Sequence, residues 1–303
     1  MTTIDIAPRP PSADAVPVAE RRTRHRGFLR QSLRLARTQI GLVIVALVVG
    51  VAVFGPYFAP HSTTEFVGAP FSGASPTAHL GADYLGRDVL SRFLSGGREI
   101  LIVGLLGTVV AVGAGTALGL LSGYAPRWVD EALMRVVDLL LAFPGIVLAL
   151  LAISVVGAHG WVLVLVVGLT YMPYTGRIVR SSTMQVRESD FVRYAEGTGM
   201  PLRRILSGEI LANIAAPLTV EFGLRLTHSI ALIAGLDYLG LGVAQPAADW
   251  GLMTHENESG LTVAPLSVLL PVLAIVLLTV GANLVTDGIG HAAAGVDRSL
   301  ESE

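Results

Sequence analysis

Lysine and cysteine are both absent from this 303-residue chain, so its 21 basic residues are all arginine. Without lysine there is no Walker A loop, whose G-K-[ST] lysine contacts nucleotide phosphates, and no Schiff-base chemistry. Without cysteine there is no disulfide, thiolate metal ligand or cysteine nucleophile. Charge is sparse too. Charged residues make up 15% of the chain and hydrophobic residues 52%, where soluble domains carry roughly 25% charged. A mean hydropathy of +0.64 leaves too little polar surface to cover a water-soluble globule. The chain reads as an integral membrane protein. Its net charge of -2 offers no electrostatic footprint for nucleic acid.

What is present is a series of apolar runs. A membrane helix needs about 20 predominantly apolar residues. Stretches with few or no charges predict six spans, at about 40–58, 99–123, 131–156, 160–180, 211–236 and 264–286. The uncharged run Leu139–Gly176 is too long for one span, and Gly157-Ala158-His159-Gly160 divides it. The fold class is therefore all-α, a polytopic six-helix membrane domain over residues 39–292. Residues 1–38 form a cytoplasmic tail, with an Ala/Pro/Ser-rich start that predicts disorder and a basic run, Arg21–Arg37, suited to anionic headgroups. Residues 293–303 form a second cytoplasmic tail. The long basic lead and the lack of an A-x-A site make the first span a retained helix, not a cleaved signal.

Arginine asymmetry orients the chain. With the N-terminus inside, 17 of 21 arginines are cytoplasmic, Arg87, Arg92 and Arg98 lie outside, and Arg225 sits within a span. Both termini are then cytoplasmic. His61–Gly97 becomes an extracytoplasmic segment rich in turn formers. The loop 187–209 becomes a cytoplasmic element between spans four and five, long enough to suggest a task.

Within that loop, Phe191, Tyr194 and Ala195 share a helical face by their spacing. Gly199 fits a helix C-terminus, and Pro201 fits the first turn of the next helix. Such a helix suits a groove on a soluble partner, or equally the headgroup layer of the membrane. Elsewhere, Glu221 and Arg225 form an i, i+4 pair inside the fifth span. Charges at membrane depth are functional candidates, here for a translocation path that meets a zwitterionic solute. A self-neutralising structural pair is the favoured alternative. Gly115, Gly119 and Gly123 recur every four residues and predict close helix packing, within the chain before a second subunit. Outside, Asp83, Arg87 and Asp88 suit a pore-mouth gate or a binding-protein contact, with a satisfied turn network favoured, and His255-Glu256-Asn257-Glu258 a contact with a substrate-binding protein, with a solvated loop favoured. The histidines show no metal-ligand spacing, and no catalytic, cofactor or metal residue is assigned.

Several blocks carry a family resemblance over about residues 35–295. His79–Arg92, HLGADYLGRDVLSR, follows nearly residue for residue a segment of the dipeptide, oligopeptide and nickel family of ABC importer permeases. Leu118–Pro144 resembles that family's run through D-x-x-L-M-R to L-L-A-F-P, with Asp130, Leu133, Met134, Arg135, Asp138 and Phe143-Pro144 in place. Tyr238–Val243 with Trp250-Gly251 resembles its F-L-G-L-G-V and W-G, and Asn283–Gly288 its N-L-x-G-D-G. Arg193-Tyr194-Ala195 with Gly199 occupies the register of the family's E-A-A motif and glycine, arginine standing for glutamate. Ile210-Leu211-Ala212-Asn213 follows where the family has I-L-P.

The resemblance is closest to the C-type member of a permease pair. It implies a homologous second permease, two ATP-binding subunits that use ATP, and an extracytoplasmic solute-binding protein, with the chain in a bacterial plasma membrane. Arg193, Tyr194, Ala195, Gly199 and Pro201 would then belong to an ATPase-coupling loop. The implied cargo is di- or oligopeptides, with nickel, metal chelates or glutathione-type compounds as the alternative. A self-sufficient ion-coupled transporter is the rival of another class. One buried charge pair and no clear internal repeat disfavour it.

Overall fold

The computed structural model describes residues 32–242 and 246–301, and side chains as far as residue 292. The expectations for residues 1–31 lie outside it. The chain is all helical apart from connecting segments, and no β-strand is formed among the described residues. In order come α1 (Ala36–Phe54), α2 (Val89–Ser95), α3 (Gly97–Tyr124), α4 (Arg127–Leu141) and α5 (Gly145–Val156). They are followed by α6 (Gly160–Arg187), α7 (Asp190–Gly197), α8 (Ala215–Tyr238), α9 (Trp250–Glu256) and α10 (Leu266–Glu301).

Among the described residues, four helical stretches are long and apolar enough to cross a membrane, and two bent pairs raise the number to six if each is one span. Both bent pairs depart from the straight spans that apolar content suggests. The expected span 131–156 is α4 and α5, which meet at 84°. Pro144 explains the break: it has no N–H to continue α4, and the residue before a proline is pushed out of the helical region. The α4 helix also carries Arg127, Asp130, Glu131, Arg135 and Asp138, too many charges for a lipid-embedded segment. The expected span 211–236 begins later, at Ala215, after a 72° bend from Leu202–Asn213. Within that preceding segment, Ile205–Ile210 is wound as a π-helix. At the C-terminus the α10 backbone stays helical through 293–301, so the tail expected there continues the last span.

The bundle centres on α3 and α6. A Cβ on Gly115 would come within 2.7 Å of the Thr175 side chain, one on Gly119 within 2.6 Å of Val179, and one on Gly123 within 2.8 Å of Thr183. Each contact joins residues the same number of positions apart, so the two helices run parallel in fixed register. The glycine stripe thus serves packing within the chain, where small residues let backbones approach and dispersion contacts accumulate. Around this pair, Ile100, Val103, Leu163, Val167, Ile230, Ile233, Leu236 and Leu278 form the buried core, which Trp250 of α9 joins.

Parallel α3 and α6 force the intervening chain to return across the bundle. The bent α4–α5 pair makes that return. Asp130 on α4 forms an ion pair with Arg180 on α6 and also accepts from Ser122 on α3. The Asp138–Arg177 ion pair joins the same two helices at 2.5 Å.

Candidate functional site

Three places bring polar side chains together. The first is the end of the bundle where the chain from His61 to Gly97 folds back on α9. Asp83 Oδ1 accepts from the backbone N–H groups of Leu85 and Arg87, both at 2.9 Å, and Oδ2 accepts from Arg87 Nε at 2.7 Å. Glu256 Oε2 then accepts from Arg87 Nη2 at 3.1 Å and from Arg92 Nη2 at 2.7 Å. Arg92 Nε stands 3.5 Å from Asp83. Two arginines and two carboxylates thus form a neutral group, every member at most 4% exposed.

Asp88 caps α2 by accepting from Ser91 N, and Asn257 Oδ1 accepts from Tyr84 N at 3.0 Å. Asp83, Arg87 and Asp88 are therefore architectural, as their spacing suggests. The solvated loop expected at His255–Glu258 is corrected: Glu256 and Asn257 are buried in this network, and only His255 and Glu258 stay exposed. Sequence carries no local signal for it, because Glu256 and Arg92 are 164 positions apart.

The other end of α9 holds a second acidic contact. Asp249 caps α9 by accepting from Gly251 N at 2.8 Å and Leu252 N at 3.3 Å. Burial pushes its carboxyl up to about 6, opposed by a hydrogen bond with the Asp237 side chain and by those backbone donors.

The second place is in the first half of α8. Glu221 is 2% exposed and accepts from Thr175 Oγ1 on α6 at 3.0 Å. Arg225, one turn later on α8, holds its Nε 2.8 Å from Glu221 Oε1 as a close ion contact. Its guanidinium lies over the rings of Tyr174 and Tyr171, at 5.2 and 5.8 Å from their centres. Tyr171 donates its hydroxyl proton to the His228 carbonyl at 3.0 Å, and the two rings are 6.1 Å apart. Pro173, inside α6, removes the hydrogen bond to the Leu169 carbonyl beside this cluster. The structure brings Glu221 and Arg225 together as their spacing predicts, and adds Thr175, Tyr171, Tyr174 and His228. The aromatic neighbours come from α6 and leave no trace in the spacing on α8.

The third place is the loop between α6 and α8. Val192 and Ala195 of α7 pack on Ile205 and Ile210, with Phe191, Met200, Leu120 and Tyr124 around them. The face expected from Phe191, Tyr194 and Ala195 is split. Ala195 turns inward beside Val192, while Tyr194 is 74% exposed. A helix of two turns places positions 192 and 195 on the inner line, and Tyr194 falls outside it.

Gly199 has φ +77°, Gly199 N donates to Glu196 O at 2.9 Å, and Met200 N donates to Ala195 O at 3.0 Å. This pair of bonds is a Schellman end, with Met200 and Ala195 in the same apolar cluster. Pro201 then stands just before Leu202–Arg204, one position ahead of the first turn. Tyr124 donates to Glu196, and the Arg187 guanidinium lies 4.7 Å from the Tyr124 ring centre. The ends of α3, α6 and α7 are therefore tied into one body, with Arg193 and Tyr194 presented outward.

Among the described residues no group of three or more His, Asp or Glu side chains is placed to hold a metal ion. Comparison with known proteins gives a consistent picture. Residues 115–293 match the family model for the binding-protein-dependent transport system inner membrane component. The glutathione transport system permease protein GsiD of Pectobacterium atrosepticum is 34% identical over 283 residues, covering 93% of each chain. The dipeptide transport system permease protein DppC of Alkalihalophilus pseudofirmus is 34% identical over 254 residues, 84% of each chain. GsiD of an Escherichia coli O6:K15:H31 strain is 32% identical over 273 residues, 89% of this chain and 90% of its own.

Proposed function

The chain belongs to the family of binding-protein-dependent transport system inner membrane components, and from that premise we propose that it works in ATP-driven uptake of di- or oligopeptides. It is a multi-pass membrane permease. In this reading it pairs with a homologous permease, and the solute path runs between the two. Two ATP-binding subunits dock on the cytoplasmic side, and a solute-binding protein delivers cargo from outside. The host membrane is a bacterial plasma membrane with both chain termini inside, as the arginine distribution favours.

The observation that carries the cargo assignment is the pair of long matches, 34% over most of both chains, to permeases named for a dipeptide and for glutathione. Glutathione is itself a tripeptide, so one cargo chemistry covers both.

Coupling follows from the cytoplasmic loop. The α7 helix is braced by its apolar underside, its Schellman end and the Tyr124–Glu196 bond, and it presents Arg193 and Tyr194. A projecting element held this firmly moves as a rigid body when a partner pulls on it. ATP binding would draw the ATPases together and bias the two permeases between outward- and inward-facing states. Arg193, in the register of the family's glutamate, calls for an acidic partner. Ala195 sets the buried side, and Gly199 and Pro201 set the turn. On this reading Glu221 and Arg225 border the solute path at mid-depth.

The test is purification of the tagged chain in mild detergent, followed by reconstitution. Co-purifying permease and ATPase subunits, and uptake of Ala-Ala or glutathione that requires internal ATP, are the expected results. Uptake by the chain alone, driven by an ion gradient, would replace this reading with that of a secondary transporter.

A further inference from the structure

An arginine at membrane depth needs acceptors for five N–H groups. Arg225 is the eleventh residue of the 24-residue α8, and its only ion-pair partner among the described residues, Glu221, sits at Nε. Its two Nη groups donate to no described residue. An i, i+4 pair built solely for neutrality would leave those donors facing hydrocarbon, at the cost of unsatisfied polar groups. Two tyrosines frame the free edge instead of closing it. Arg225 is 11% exposed, while Tyr174 beside it is 45% exposed and the His228 side chain is exposed too. Glu221 lies on the inner side, 2% exposed, so what the pair offers outward is positive and donor-rich.

We propose that the free Nη edge of Arg225, framed by Tyr171 and Tyr174, is a contact site for the carboxylate of a passing solute. This rests on the reading that this face borders the solute path. A planar carboxylate matches the two-pronged Nη edge, and the charge-assisted bonds are short and directional. The tyrosine faces hold the guanidinium plane by cation–π attraction, fixing the fork before the solute arrives. Glu221, already engaged, keeps the unloaded site near neutral. A carboxylate is therefore held weakly enough to leave, as passage requires. Solutes whose carboxylate is blocked lose this contact.

The missing cysteine makes the site directly readable. Tyr174→Cys gives the chain a single thiol. In membrane vesicles holding the full transport complex, that thiol is labelled with an anionic sulfonatoethyl or a cationic trimethylammonioethyl methanethiosulfonate. Labelling is followed on this chain, in nucleotide-free and vanadate-trapped states. The sulfonate reagent should react faster by about tenfold, the size of a local electrostatic preference. Millimolar Ala-Ala, delivered with its binding protein, should slow labelling where Ala-Ala-amide does not.

Removing both charges together in Glu221→Gln/Arg225→Gln should erase the reagent preference without leaving a lone buried charge. Equal rates for the two reagents, unchanged by the double substitution, would overturn the carboxylate site and leave the path reading standing. No labelling by either reagent in either state would place this face against lipid or protein, and both readings would fall.

Discussion

Among the described residues, two arginine–carboxylate clusters hold carboxylates no more than 3% exposed, and they are built differently. The first, Asp83–Arg87–Arg92–Glu256, is enclosed: Arg92 is fully buried, and Asp83 takes two backbone N–H groups as well as an arginine. Arg92 keeps Nε and Nη1 without hydrogen bonds, yet no solute can reach them. The second, Glu221–Arg225, is smaller and opens at one edge, beside a half-exposed tyrosine. Both are charge-neutral, so net charge does not tell them apart. Enclosure does: a sealed network can only hold elements together, whereas an open donor edge can exchange partners.

The largest expected effect lies in the sealed network. Arg92→Ala leaves Glu256 and Asp83 buried with an uncompensated charge, which costs about 3–5 kcal/mol. The segment from His61 to Gly97 should detach from α9, seen as a loss of folded protein in detergent and a large drop in Tm. An Arg92→Ala chain as heat-stable as the parent would erase the distinction between the two clusters.

At the open pair the balance should reverse. Glu221→Gln/Arg225→Gln should change stability by less than about 1 kcal/mol, since the amides retain hydrogen-bonding capacity and no charge is orphaned. Uptake of free dipeptide should nevertheless fall by about tenfold, the value of one contact worth 1.4 kcal/mol. The check is Tm and initial uptake rate on one preparation.

The exposed face of α7 extends the same contrast to the loop that follows α6. Tyr194→Ala removes a side chain with 74% exposure. It should move stability by no more than about 0.5 kcal/mol, the usual range for surface substitutions. Uptake coupled to ATP should drop, and substrate-stimulated ATP hydrolysis with it. Ala195→Arg, by contrast, forces a charge into the buried cluster and should lower Tm.

A pH-dependent effect concerns Asp249. Its folded carboxyl titrates near 6, above the ordinary 3.8, so the folded state binds more protons than the unfolded one between these values. Its contribution is therefore fully present below 3.8 and is lost as pH rises through about 6. Thermal unfolding followed from pH 4 to pH 7 should show that decline. Asp249→Asn should flatten it, because an amide does not titrate in this window.

Much of this architecture was legible in the chain itself. The apolar runs marked the membrane helices, the glycine stripe at 115, 119 and 123 marked a close-packed face, and Gly199 marked the end of α7. These are local properties, governed by backbone conformation and by transfer from water to hydrocarbon. The break at Pro144 was also written in the chain, but apolar content masked it. A window that counts hydrophobic residues runs straight through Phe143-Pro144, although proline cannot continue the hydrogen-bond ladder. The inward turn of Ala195 and the exposure of Tyr194 were harder to read. In a helix of two turns, which apolar line faces inward depends on where Ile205 and Ile210 are placed, and the π-helical winding sets that.

By itself, then, the sequence determined that this protein lives in a membrane, where its apolar runs lie, and which pair of charges lies one helical turn apart. Such features depend on neighbours within a few positions, where geometry is nearly fixed by the backbone. Only the tertiary structure decided that Glu256 joins Arg87 and Arg92 and that Tyr171 and Tyr174 frame Arg225. Those contacts join side chains from about 50 to 169 positions apart. No local preference specifies them. They exist because the packed bundle, once formed, leaves buried charges no partner except the one that packing brings within reach.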